Sequence, residues 1–362
     1  MVNLFYKTII YSVLVLISCS LQGQNKLSKK IKQTHVLTND GALYLENKYG
    51  DTYINGWDKD KIEIVVNIEA NGKNDEKAKE FLSLINSNII ATNKQIIVKS
   101  EISNSKPGFF SKYIGKIDPF NFEKANATIN YTISLPKSAE IEILNKYGDV
   151  IISDWNGKLK INVEHGDIRI LDSISNSDLS IAYGKLRANT LCKTNILAKD
   201  ASISIDNSSH LKLDSDGSQI TLGVVGNLDL NSNKDNLEIT QINTAFGTVK
   251  YSTLMFNNVS ENVNLDLNLA ELRLLKFSTS YPKINIEQRS SEVYINISET
   301  NFKFDAKLEQ GVLRIPKSLH NINSEVINKN DKIRYITASY KKEGDGTFYF
   351  KGVKGVIILK EL

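Results

Sequence analysis

The sequence predicts an all-β chain whose body is a parallel β-solenoid with rungs of about 17–18 residues. Three observations predict it. One unit of fourteen residues occurs twice, apolar-x-apolar pairs recur at near-constant spacing after the second copy, and turn formers separate the pairs. Strand side chains alternate between faces, so each pair marks two inward positions of a short strand. A lone rung cannot bury its pairs, whereas stacked rungs bury them continuously. A compact β-sandwich also has many short strands, but it is not expected to keep its spacing over five units. The hexapeptide signature of left-handed β-helices is absent, which favours the right-handed form.

In chain order, residues 1–23 read as a signal peptide. Lys7 supplies the positive charge, and Thr8 to Ile17 is an apolar run of signal length, too short to span a membrane. Two endings stay open. Leu16-Ile17-Ser18-Cys19 resembles a bacterial lipobox, which would make Cys19 an acylated N-terminus. Gly23 before Gln24 instead suits ordinary cleavage. Multiple acylation would tether the protein firmly, and cleavage after Gly23 would leave it free. No second long apolar run follows, so no transmembrane span is expected. The expected location is outside the cytoplasm: periplasm, outer-membrane surface or cell surface.

Residues 24–140 read as an N-terminal β region with an inserted helix and an aromatic loop. The first copy of the repeated unit runs from Leu45 to Asp58 and contains Asn47-Lys48-Tyr49-Gly50-Asp51 and then Trp57. Ile62 to Ile68 alternates as a strand. Asn74 to Ile85 is rich in helix formers, with Asn74 or Asp75 as cap, and is the one helix expected. Ile96 to Val98 and Ala127 to Leu135 resume strands. Between them, Phe109, Phe110, Tyr113, Phe120 and Phe122 concentrate aromatics where strand periodicity is poor. They are candidates for surface binding, or for an apolar flap sealing the stack.

Residues 141–362 read as the solenoid, continuous with the region before it. The second copy runs from Ile143 to Asn156, with Tyr147, Gly148, Asp149 and Trp155 matching Tyr49, Gly50, Asp51 and Trp57. In both copies the glycine is expected to take a tight corner and the aspartate to close it through an Asx bond. The alternative, calcium ligation by Asp51 and Asp149, lacks the dense Asp-Gly alternation of calcium-binding repeats. Both tryptophans are expected to cover the core at an edge. Ile168/Ile170, Leu186/Ala188, Ile203/Ile205, Ile220/Leu222 and Leu237/Ile239 follow, their first members 18, 17, 17 and 17 residues apart. A second series interleaves: Leu159/Ile161, Leu179/Ile181, Ile196/Ala198, Leu211/Leu213 and Leu228/Leu230. His165-Gly166-Asp167, Tyr183-Gly184-Lys185, Asp214 to Gly217 and Asn231 to Asn233 are the expected turns. Val293 to Ile297, Leu313 to Ile315 and Gly352 to Leu359 are late strands.

The chemistry-bearing residues are sparse. His35, His165, His210 and His320 are dispersed, and no zinc, serine-hydrolase or nucleotide-loop motif is present. No catalytic residue, cofactor or metal is therefore expected, and the chain is not expected to be an enzyme. Cys192 stands alone in the body and reads as a small buried apolar residue. With 45 basic and 41 acidic residues spread along 362, the net charge of +4 gives no field for nucleic acid. Asp206, Asp214 and Asp229 are expected to face outward, as solubility demands.

The two Asn-Lys-Tyr-Gly-Asp units, their following tryptophans and Leu135-Pro136-Lys137 ahead of the second copy together resemble the putative adhesin family of bacterial, Bacteroidetes-like cell-envelope proteins. The resemblance spans residues 36 to 315 or so. It implies a β-solenoid, export to the envelope and a binding scaffold for a glycan or another envelope protein. It brings no catalytic residues. A polysaccharide-active β-helix enzyme and an accessory in envelope sensing or assembly are the alternatives.

Overall fold

The computed structural model describes residues 25–92, 94–102, 127–342 and 344–362. The signal region with Cys19 and the aromatic candidates Phe109, Phe110, Tyr113, Phe120 and Phe122 lie outside the described residues. The described chain is all-β with one helix, and its 23 strands join one sheet.

The N-terminal part comprises β1 (Asn25–Val36), β2 (Ala42–Lys48), β3 (Thr52–Trp57), β4 (Lys61–Gly72), α1 (Asp75–Leu84), β5 (Ile85–Ala91), β6 (Gln95–Ile102) and β7 (Ala127–Pro136). Asn74 caps α1, its Oδ1 accepting from the Lys77 amide at 2.9 Å, and Ala78 is the buried residue of the helix. β4 lies antiparallel to β1 and β7, while β7 runs parallel to β3. β1 pairs with β4 and carries Lys26, Lys29, Lys30 and Lys32. Lysines on an outer strand oppose edge-to-edge association.

The middle part comprises β8 (Glu140–Lys146), β9 (Val150–Ser153), β10 (Lys158–Glu164), β11 (Ile168–Ala182), β12 (Lys185–Lys199), β13 (Ser202–Asp216), β14 (Gln219–Asn233), β15 (Asn236–Lys250), β16 (Thr253–Phe256), β17 (Val259–Asn268) and β18 (Glu271–Leu274). The two copies of the repeated unit are neighbours: β2 pairs with β8 and β3 with β9, Asn47 opposite Asn145. From β12 to β15 each strand runs parallel to the next at a constant offset of 17 residues. The first apolar series is in register as expected: Ile168, Leu186, Ile203, Ile220 and Leu237 are successive partners and all buried.

The second series departs from expectation. Leu159 lies opposite Ser177, and it is Ile161 that meets Leu179. Likewise Ile196 meets Leu213, while Leu211 lies opposite Thr194. Each repeat therefore presents three inward positions here, some of them polar. Ser177 and Thr194 are both buried, and their hydroxyls bond each other at 2.8 Å. A third inward series runs through Ile174, Leu191, Ser208, Val225 and Ile242. It contributes one residue per repeat, so it leaves no local alternation to read. The predicted turns at Asp214–Gly217 and Asn231–Asn233 are displaced as well. Both segments are mostly strand, Ser215 and Ser232 point inward, and the bends fall at Gly217 and Lys234.

The C-terminal part comprises β19 (Lys283–Asn296), β20 (Phe302–Arg314), β21 (Leu319–Asn328), β22 (Ile333–Tyr340) and β23 (Thr347–Lys360). β15, β16, β18, β19 and β17 pair in turn and return to β15, closing a five-strand ring. β23 inserts between β19 and β20, parallel to both. Buried apolar side chains from Leu37 to Leu359 form one continuous core. No helix among the described residues is long and apolar enough to cross a membrane.

Candidate functional site

The repeated Lys-Tyr-Gly-Asp segment builds a corner column. The left-handed backbone falls on the aromatic residue and not on the glycine: Tyr49, Tyr147, His165 and Tyr183 have φ of 64°, 60°, 56° and 59°. That conformation costs a residue with a Cβ about 1–2 kcal/mol. The four rings stack face to face, with centroids 5.3, 5.0 and 4.8 Å apart along the column. Each such pair contributes about 0.5–1.5 kcal/mol beyond its buried area, which offsets part of the strain. Glycine follows because the backbones nearly touch. A Cβ on Gly148 would fall inside contact distance of the Gly50 carbonyl oxygen.

The aspartates do not close their own turns. Asp51 Oδ1 accepts from the Asp149 amide, Asp149 Oδ1 from the Asp167 amide, and Asp167 Oδ1 from the Lys185 amide, each at 2.9 Å. Every carboxylate thus binds the next repeat. Asn47 and Asn145 complete the column from inside, Asn145 Nδ2 donating to the Gly148 carbonyl at 2.7 Å and to the Gly50 carbonyl at 3.3 Å. Further along, serine and aspartate replace glycine, and the bonding changes column. The Ala201 amide donates to Ser218 Oγ, the Ser218 amide to Asp235 Oδ1 and the Asp235 amide to Ser252 Oγ. Buried Asp235 also accepts from Ser215 and Ser232, both at 2.6 Å. This carboxylate went unnoticed in the sequence; a lone Asp inside an Asn- and Ser-rich stretch gives no signal. The aspartate and serine oxygens named here accept backbone amides of the neighbouring repeat, so the column holds repeats together.

The two tryptophans part company. Trp155 is 1% exposed and donates Nε1 to the Ala139 carbonyl. Trp57 is half-buried, bonds the Lys61 carbonyl and lies under the ammonium groups of Lys59 and Lys61. Cys192 is half-buried, not buried as expected. Asp206 and Asp214 face outward as expected, and Asp229 is half-buried on the outer face. His35 bonds Gln33, His165 is in the ring stack, and His210 and His320 are exposed on β13 and β21. Among the described residues no group of three or more His, Cys, Asp and Glu could hold a metal ion.

A recess lies at the other end of the chain, where the sequence predicted only a short strand. β20 bends at Gln310, whose φ is 53°. Before the bend β20 pairs with β22 on one edge and β23 on the other. From Gly311 to Arg314 it pairs with β23 alone. The β21–β22 hairpin and this part of β20 border an open recess of about 820 Å³. Leu308, Leu313, Ile315, Val326 and Ile336 supply apolar walls. Leu313, Ile315 and Ile336 are only partly buried and pack against the core, so the recess opens onto the end of that core. Lys329, Lys332 and Arg334 stand at the hairpin turn, and no acidic side chain lines the space. β21 is exposed along nearly its whole length, with Ile322, Val326 and Ile327 each about half exposed. Such an apolar outer strand is uncommon without a partner. Sequence reasoning missed this hairpin because its residues follow neither a one-sided alternation nor the repeat spacing.

No family model and no curated protein sequence matches the chain. Solved structures similar to it include a putative adhesin from Parabacteroides merdae, 11% identical over 74% of this chain and 93% of that one, with a TM-score of 0.38. A putative adhesin from Bacteroides fragilis is 12% identical over 92% of this chain and 97% of that one, with a TM-score of 0.26. A putative lipid binding protein from Parabacteroides distasonis is 14% identical over 75% of this chain and 94% of that one, with a TM-score of 0.28. Putative adhesins from Bacteroidetes are thus among the chain's structural neighbours, under the family name that the Asn-Lys-Tyr-Gly-Asp units suggested.

Proposed function

We propose that the chain is a non-enzymatic binding protein exported to the bacterial cell envelope, an adhesin-like scaffold on a right-handed parallel β-solenoid. The constant 17-residue offset between parallel strands supports the solenoid reading. The N-terminal region runs into it without a break, because the first Asn-Lys-Tyr-Gly-Asp copy pairs directly with the second. The observation that carries the binding function is the recess between β20 and the β21–β22 hairpin, where Leu308, Leu313, Ile315, Val326 and Ile336 meet Lys329, Lys332 and Arg334. Concave apolar sites with a few convergent polar groups are where ligands bind. Phe109, Phe110, Tyr113, Phe120 and Phe122 are proposed as a second contact surface, and acylation of Cys19 as the tether.

The test is co-sedimentation of the purified protein with envelope vesicles and with envelope polysaccharide, alongside an assay for new reducing ends. Saturable co-sedimentation that falls when Lys329, Lys332 and Arg334 are reversed to glutamate, with no new reducing ends, is the expected result. Release of sugar ends would overturn the non-enzymatic reading. Absence of co-sedimentation with either material would overturn the binding one.

A further inference from the structure

We infer that the recess at the end of the stack binds a single-chain anionic amphiphile, with the acyl chain against the open core and the acid group among the three basic residues. The inference rests on the reading of the chain as a binding protein and names its ligand class. The two ends of the molecule contrast. At the N-terminal end, α1 and the antiparallel strands β1 and β4 are added to the repeats, and the outer strand β1 carries lysines. At the C-terminal end, β20 has no strand on its outer edge from Gly311 to Arg314 among the described residues. The partly exposed Leu313, Ile315 and Ile336 there pack against the core without a complete cover.

An apolar surface of this kind draws a hydrocarbon chain out of water by the area it buries. The space of about 820 Å³ is within the usual range of small-ligand sites. Charge then selects among apolar ligands. Lys329, Lys332 and Arg334 lie on a turn and the first residues of β22; Asp331 shares that turn, bonded to Asn328, but no carboxylate is among the residues lining the recess, so the three cations outnumber the one acid there. A carboxylate or phosphate head would accept charge-assisted hydrogen bonds from them while its chain lay on the apolar walls. A second copy is a poorer occupant. In a two-fold dimer over this face the same basic turn would meet itself, and like charges across an interface oppose association.

The experiment is isothermal titration of the purified, full-length secreted protein with oleate below its micelle concentration. Butyrate is the head-only control and oleyl alcohol the chain-only control. A single saturable site for oleate is expected, with butyrate inert and oleyl alcohol at least about tenfold weaker. Reversal of Lys329, Lys332 and Arg334 to glutamate should weaken oleate by at least about tenfold. These side chains are exposed, and an unchanged melting temperature would show that the fold survives. Leu313→Asp should abolish binding, and Ser324→Trp, which fills the space from its exposed side, should do the same without burying a charge. Equal affinity for butyrate would reveal a plain anion patch and overturn the inference. Oleate binding untouched by these variants would place the ligand elsewhere and overturn it too. So would a dimer, seen by light scattering, that the charge reversals dissociate. If vesicles still co-sediment while oleate does not bind, this inference alone fails and the binding reading stands.

Discussion

At the corners, Tyr49, Tyr147, His165 and Tyr183 accept a strained backbone in exchange for ring stacking along the column. His165 has an aromatic neighbour on each face, so His165→Ala should cost about 1–3 kcal/mol from its two ring contacts, by urea unfolding. His165→Tyr restores the motif and should retain full stability. Asp149→Ala leaves the Asp167 amide without its acceptor and should cost about 1–3 kcal/mol, whereas Asp149→Asn keeps an oxygen there and should cost less. The motif was legible as a unit. Its division of labour was not, because which residue takes positive φ and which cannot bear a Cβ depends on the neighbouring repeat, a contact between residues 98 apart.

Two buried tyrosines set a limit at high pH. Burial raises the Tyr131 phenol above its usual value, its hydroxyl meeting Ser87 and Ser100. Burial raises Tyr340 too, helped by its hydrogen bond to Glu361. A raised acid is held neutral in the folded state, so this stability is complete below the unfolded value of about 10 and lost as pH rises toward the folded one. The melting temperature should therefore fall above about pH 10, and Tyr131→Phe should flatten that fall.

The strands are built on three inward series, and only the first could be read fully from sequence. Its members are apolar pairs at fixed spacing, so register and burial follow from alternation. The second mixes Ser177 and Thr194 with leucine and isoleucine, which shifted the apparent pairs by two residues. The third holds one residue per repeat. In it Ser208 lies buried between Leu191 and Val225, and its hydroxyl has no hydrogen-bond partner. Ser208→Val should raise stability by about 1 kcal/mol, seen as a higher urea midpoint at unchanged slope. The β21–β22 hairpin was illegible for a different reason. Leu319, Ala338 and Tyr340 reach the core from its base, while Ile322, Val326 and Ile327 are exposed, so no one-sided alternation marks it.

At the scale of the whole molecule, neighbouring repeats from β8 to β15 are held by a parallel ladder and the inward series, with side-chain bonds across most of their corners. In a chain of such units stability is approximately a sum over nearest neighbours. Both ends therefore depart from the repeat, one closed by antiparallel strands and a helix, the other by a hairpin that leaves a recess. The repeat spacing and the motif were visible in the sequence. At the N-terminal end the helix with its Asn74 cap and the strand at Ile62–Ile68 were visible as well; the C-terminal hairpin was not, since it lies outside the periodicity.

The most direct measurement is the unfolding of a chain lacking residues 202–218, one whole repeat, beside a chain lacking 202–211. Removal of the 17 residues would bring Leu186 onto Ile220, Leu191 onto Val225 and Ile196 onto Leu230, keeping the register of each inward series. The account predicts a cooperative urea transition for the whole-repeat deletion, with a slope reduced only in proportion to its length, and no folded state for the shorter one. Loss of cooperative folding in the whole-repeat deletion, or equal tolerance of both, would contradict it.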